Sequence, residues 1–252
     1  MADLTRVLVP VDSQDAQAFR LALGYAENIC ERTGSNDISL LVHTKHQLDH
    51  TSLAQFLGPA ALRALDKGTV SLPSGKRLHA NTMKTLRYSA RNAVLLVYYA
   101  EPKILDFADG LEAVGGIVAV PDLPGEADGW VARWGAIVHG QATAAPATLI
   151  GDAVFVGALE TLSKVVNLST GLGHPRDRQM ADQILRILRA KGHADQSENI
   201  KSWAIRHGWH PEHAAELERL ARKIWALKNK PALSNVHDPH GRYQRWRDEA
   251  GA

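Results

Sequence analysis

Apolar residues along this chain follow two rhythms. Through the first 140 residues, short apolar runs alternate with stretches in which apolar side chains recur every three or four positions; beyond that point only the second rhythm remains. The runs are those of buried strands, and the three-to-four spacing is that of helices with one face inward. Residues 6–11 (RVLVPV) predict a buried strand. Asp12 and Asp15 follow as capping residues, and Phe19, Ala22, Leu23, Ala26 and Cys30 predict a helix stopped by Gly34. Residues 38–43 predict a second strand. Leu53, Phe56, Leu57, Leu62 and Leu65 predict a helix interrupted at Gly58-Pro59 and ended by Gly68. Residues 69–80, which contain Pro73, Ser74 and Gly75, predict a short strand with a turn. Residues 93–99 (AVLLVYY) form the clearest strand. Pro102 then opens a helix predicted to run to residue 114, followed by a strand at 117–120, a helix near 126–134 and a last strand at 136–139.

Near-continuous apolar strands separated by helices mark a parallel sheet covered on both faces, so the expected fold of residues 1–140 is a Rossmann-like α/β domain. Residues 141–150 (QATAAPATLI) read as a linker. From 151 to 230 only helices are predicted, at 152–166, 175–190, 198–207 and 211–228. Residues 231–252 read as a polar tail, for they lack a helical apolar stripe. The expectation is thus α/β followed by an all-helical domain, and a length of 252 residues agrees with two domains.

Within the helical part, residues 200–219 (IKSWAIRHGWHPEHAAELER) carry a helix-turn-helix-like spacing. Trp203, Ala204, Gly208, Trp209, Ala214 and Leu217 fall at the packed positions, and a second helix starts at Pro211. Such a unit reads DNA with the first residues of its second helix. Here that face holds Glu212 and Glu216, which phosphate repels. The basic residues flanking it, Lys201, Arg206, Arg219, Arg222 and Lys223, are the expected nucleic-acid contacts. The structural alternative is a compact three-helix core with no role in DNA binding.

Composition is that of a soluble globular protein, with 45% apolar and 22% charged residues. Its net charge of +2 is uneven: residues 1–166 hold 14 Lys and Arg against 17 Asp and Glu, and residues 167–252 hold 15 against 10. A basic second part favours polyanionic partners. Cys30 is the only cysteine, so an intrachain disulfide and a cysteine-based zinc site are both excluded. The N-terminal residues show no basic segment leading into an apolar run, and no stretch approaches the roughly 20 apolar residues of a membrane span. A cytoplasmic location with no membrane partner is the expectation.

Candidate chemistry lies at the strand ends, where open parallel sheets bind ligands. Asp12, Asp15, Glu101 and Asp122 stand there, and converging carboxylates would hold Mg²⁺ or Mn²⁺ for phosphodiester hydrolysis. Asp12 and Asp15 are equally good helix caps, and Asp122 precedes a turn. His43, His46, Asp49 and His50 form a second candidate. Their spacing resembles the H-x-H-x-D-H loop of metallo-β-lactamase-like hydrolases with one extra residue in each spacer, and that resemblance implies zinc. No G-x-G-x-x-G follows the first strand. Ser74-Gly75-Lys76 lacks the rest of a phosphate loop, so an ordinary nucleotide site is not expected.

The leading functional expectation is a regulatory or adaptor protein without a cofactor. Its α/β domain would sense a ligand or partner, and its helical domain would bind nucleic acid or protein. The alternatives are a metal-dependent phosphoesterase or nuclease, and a structural or oligomerising component that uses Trp130 and Trp134 or the long last helix as a contact surface.

Overall fold

A computed structural model describes residues 4–86, 90–168 and 170–251. The chain divides into two compact units, Met1–Ala147 and Thr148–Ala252. Residues 141–147, expected in a linker, belong to the first: Ala147 donates its N–H to the Ala132 carbonyl, and Gly135 lies so close to Ala144 and Pro146 that a Cβ would not fit.

The first unit is a mixed α/β fold with a seven-stranded, mostly parallel sheet. Its elements are β1 (Arg6–Leu8), α1 (Ala16–Thr33), β2 (Asp37–Val42), α2 (His46–His50), α3 (Ser52–Lys67), β3 (Thr69–Ser71), β4 (Arg77–Thr82), β5 (Val94–Ala100), α4 (Pro102–Asp109), β6 (Gly116–Pro121), α5 (Asp128–Trp134) and β7 (Ile137–Val138). The spatial order is β3-β4-β2-β5-β6-β1-β7, and only β3 runs antiparallel to its neighbour. β1 is shorter than expected. Val9 N–H still bonds Ala119, but Pro10 has no N–H to continue the ladder. The expected single strand at 69–80 is a hairpin, turning at Gly75 with φ 79°. The helix after Pro102 ends at Asp109, where the Gly110 N–H closes on the carbonyls of the last turn.

Helices cover both faces. On one, Phe19, Ala22, Ala26, Ile29 and Cys30 of α1 and Leu53 and Leu65 of α3 bury against Val7, Ile38, Leu40, Leu96 and Val118. On the other, Ile104, Leu105 and Ala108 of α4 and Trp130 of α5 bury against Leu41, Leu95, Val97, Ile117 and Ala119. The connections leaving β1 and β2 therefore go to one face, and those leaving β5 and β6 to the other. Neighbouring strands diverge in this way at β2/β5 and at β6/β1, which are switch points where the carboxyl ends open a crevice.

The second unit contains α6 (Ala153–Val165), a 3₁₀ turn (Gly171–Gly173), α7 (Pro175–Lys191), α8 (Ser197–Arg206), α9 (Pro211–Trp225) and α10 (Pro239–Ala250). Phe155, Leu159, Ile184, Leu188, Ile200, Trp203, Leu217 and Ile224 form its interior. Helix starts are strongly specified. Asp152 accepts from the Phe155 N–H, while His174 and His210 accept from Arg176 and Glu212, each ahead of a proline in the first turn. The expected polar tail holds α10. Asp238 caps it through the Gly241 N–H, and Trp246 is buried with its indole donating to Thr161 Oγ1 at 3.1 Å. One buried tryptophan anchors a helix that otherwise shows no stripe.

Candidate functional site

At the carboxyl edge of the sheet two of the four expected acids, Asp12 and Asp15, serve local geometry. Asp12 accepts from the Gln14 N–H at 2.9 Å, and Asp15 caps α1 through the Gln17 N–H at 2.8 Å; both are exposed, as is Asp122. Asp12 and Asp15 therefore have local roles, since a carboxylate at a turn or helix start satisfies donors that lack an intrahelical acceptor. Among the described residues no group of three or more His, Cys, Asp or Glu is placed to hold a metal ion. Asp12, Asp15, Glu101 and Asp122 are thus not gathered into such a group.

In the histidine segment His43 follows β2, while His46, Asp49 and His50 lie on α2. His46 and His50 sit one turn apart on α2, with rings stacked at 3.7 Å between centres. His43 turns away to the β2/β5 switch point. Its Nε2 donates to the Tyr99 carbonyl at 3.0 Å, and its Nδ1 lies 3.6 Å from Glu101 Oε1. The α2 turn thus brings His46 and His50 together, while His43 is held apart by Tyr99 and Glu101.

His43 belongs to a larger polar network. Tyr98 and Ser52 hydroxyls both donate to the Ser13 carbonyl, at 2.9 and 3.0 Å, and Ser52 also pairs with the Tyr99 hydroxyl at 3.0 Å. Burial pushes the Tyr98 phenol well above its ordinary value, so it stays a neutral donor. Tyr99 holds φ 58° at a register shift in β5, a left-handed conformation that costs a non-glycine residue about 1–3 kcal/mol. Strained strand ends of this kind concentrate at ligand sites. Two grooves, of about 230 and 290 Å³, lie along the β4 side of the sheet; the first is lined by Lys45, Asp49, Arg63 and Asp66, the second by Asp37, Arg77, His79 and Arg91.

A buried ionic cluster ties α4 and α5 to the start of β1. Asp109, with a fully buried side chain, accepts from Arg6 Nε at 3.0 Å, Arg133 at 3.2 Å, the Trp130 indole at 3.1 Å and the Trp134 indole at 2.7 Å. Arg133 also reaches Asp106 at 2.8 Å, and the Arg6 guanidinium lies 3.6 Å over the Trp134 ring. Burial pushes the Asp109 carboxyl up, against the pull of Arg6, Trp134 and Arg133. Trp130 is thus internal, which removes it as an oligomerising surface.

In the helical unit, α8 ends at Arg206 and α9 starts at Pro211. Gly208 between them takes φ 87°, and Trp209 is buried, its N–H on the Ala204 carbonyl and its indole on Ser163 Oγ at 2.8 Å. Pro211, Ala214, Leu217, Leu220, Ala221 and Ile224 form the inward face of α9. Arg206, Glu212, Arg219, Arg222 and Lys223 are exposed, and Lys201 and Glu216 partly so. Arg222 donates twice to Glu218 and His213 faces Glu216 at 3.7 Å, so these side chains already have partners.

One constellation escaped the sequence reading. His193, just past the end of α7, places Nδ1 2.5 Å from Asp152 and Nε2 3.1 Å from the Tyr243 hydroxyl. The carboxylate can only accept, so Nδ1 carries a proton, and in the neutral ring Nε2 accepts from Tyr243. Burial would raise the Asp152 carboxyl, but the His193 ring and the Phe155 N–H outweigh it and hold it below the ordinary value. This chain of bonds joins the start of α6, the end of α7 and the middle of α10. The three residues are 41 and 50 positions apart, and no spacing rule connects them.

Residues 151–247 match a family described as a domain of unknown function (DUF1889). The match lies within the helical unit, includes most of α10, and covers less than half of the chain. No curated protein and no solved structure matches. Among the described residues no helix is long and apolar enough to cross a membrane.

Proposed function

We propose that the protein is a regulatory or adaptor protein rather than an enzyme. In this reading the α/β unit is Rossmann-like and senses a ligand or partner at the β2/β5 switch point, where His43, Glu101 and the strained Tyr99 meet. The helical unit contacts nucleic acid. The observation that carries this part is the α8–turn–α9 geometry: a four-residue turn with left-handed Gly208, anchored by buried Trp209, which leaves one side of α9 exposed as in a helix-turn-helix.

Charge decides which residues make the contact. Glu212 and Glu216 on the first turns of α9 oppose phosphate, so Lys201, Arg206, Arg219, Arg222 and Lys223 bear the binding. Contacts of this kind position the protein on the backbone and carry little sequence information. Affinity for duplex DNA then falls with salt, with a log–log slope of about −0.9 per phosphate contacted. A gel shift of the full chain at low and moderate salt, beside the Arg206→Ala/Arg222→Ala variant, tests this. The expected result is binding that weakens with salt and a slope shallower by about two in the variant. Binding that is absent, or insensitive to salt, rejects the nucleic-acid reading.

A further inference from the structure

The helix α10 carries Arg242 and Arg245, each followed directly by an aromatic residue whose role is fixed. Trp246 is buried and bonded to Thr161, and the Tyr243 hydroxyl is engaged by His193. The aromatics therefore anchor the helix instead of offering open faces for base stacking, and their anchoring sets where the arginines stand.

Arg242 is half-buried, with its guanidinium 5.8 Å from the Trp246 ring centre. It donates to Gln183 Oε1 at 3.0 Å and to Met180 Sδ at 3.2 Å. Both acceptors are neutral, and among the described residues no carboxylate lies within ion-pair distance of it. Arg245, three positions on along the helix and exposed, adds a like charge. Asp238 acts on Arg242 from farther off, and its carboxylate is already committed to the Gly241 N–H.

We propose that Arg242 and Arg245 form a binding site for a phosphate group. A partly desolvated guanidinium with neutral acceptors, beside a second cation, has lost hydration without gaining a counter-charge. An oxyanion supplies the missing charge. The planar fork keeps N–H donors beyond those used on Gln183 and Met180, and it matches a tetrahedral phosphate in a way an ammonium does not. Burial and the Arg245 charge both lower the proton affinity of Arg242, the direction expected where a cation lacks an anion. This deepens the nucleic-acid reading and rests on it only for the source of the phosphate, a nucleic-acid backbone in preference to a small phosphorylated metabolite.

The test is a titration of the full chain with inorganic phosphate, against chloride at equal ionic strength, followed by the arginine Nε–H NMR signals. The Arg242 signal is expected to shift saturably. Arg245→Ala, an exposed change that leaves the helix intact, should weaken binding about tenfold or more, the loss of one charge-assisted contact. Arg242→Lys keeps charge and stem but removes the fork, and should weaken it comparably. No saturable shift, or both variants titrating like the parent, overturns the site. A second titration with a duplex oligonucleotide separates the sources. Competition with phosphate at Arg242 supports a backbone ligand; phosphate binding without oligonucleotide binding keeps the site and removes the nucleic-acid reading alone.

Discussion

Replacing Asp109 with leucine tests how the α/β unit is held at the amino end of β1. The carboxylate accepts from two guanidiniums and two indoles with no solvent exposure of its own. Leucine has similar bulk but accepts nothing. Arg133 keeps Asp106 at 2.8 Å, so the loss falls chiefly on Arg6, whose side chain is 8% exposed, and on the Trp130 and Trp134 N–H groups. Breaking a buried pair by removing one partner costs about 3–5 kcal/mol. A urea slope of roughly 1–3 kcal/mol per molar then gives a midpoint lower by about 1–5 M. The indole NMR signals of Trp130 and Trp134 read the α/β unit, and those of Trp203 and Trp209 serve as an internal control in the helical unit. The cluster's net worth is small despite this sensitivity, since burial works against the charge on Asp109. The double change Asp109→Leu/Arg6→Met should accordingly recover the part of the loss that falls on Arg6. A midpoint shift below about 0.3 M for Asp109→Leu, or no recovery in the double variant, refutes this account.

The remaining predictions concern the helical unit and acid stability. Gly171→Ala sets a Cβ against the His213 ring at a backbone φ of 55°, and should lower the stability of the helical unit by about 1–3 kcal/mol, read from the Trp203 and Trp209 signals in urea. Asp37 and Asp152 are held below their ordinary carboxyl values, against burial, by Arg77 with His79 and by His193 with Phe155 N–H respectively. Because the folded values lie below the unfolded ones, their stabilisation is complete at neutral pH. It declines as the pH falls below about 4, and is lost once the pH passes the folded values. Midpoints measured from pH 6 to 2 should show this decline in both units, and Asp152→Ala should flatten it in the helical unit only.

What could be read beforehand follows the range of the interactions involved. β5 and β6 are legible because every residue in them is buried, so the apolar run is unbroken; α1 is legible because Asp15 and Gly34 mark its ends. The position of β1 between β6 and β7 was not legible, since lateral order depends on pairings more than a hundred residues apart. α10 was read as a tail because a single buried tryptophan makes no periodic pattern. The functional groups fared worst. His43 meets Tyr99 across 56 positions, Arg6 meets Asp109 across 103, and Asp152 meets His193 across 41. Residue type suggested the acids at the strand ends, but chain geometry determined that Asp12 and Asp15 would serve as turn and cap.

The family match coincides with one of the two units. It begins at residue 151, close to the division between the units, and ends at 247, after the buried Trp246 of α10. The matched residues thus lie within the helical unit and include most of α10. Within that unit Tyr243 and Trp246 bind α10 to the His193 end of α7 and to Thr161 of α6, and this anchoring leaves Arg242 with neutral acceptors. A desolvated arginine is costly to maintain and stabilises a fold poorly unless something compensates its charge. The exposed cations of α9 carry no such cost, for water solvates Arg219 and Lys223 whether or not a ligand is present. By this physical criterion α10 is the more informative surface of the unit, even though the helix-turn-helix-like spacing draws attention first to α9.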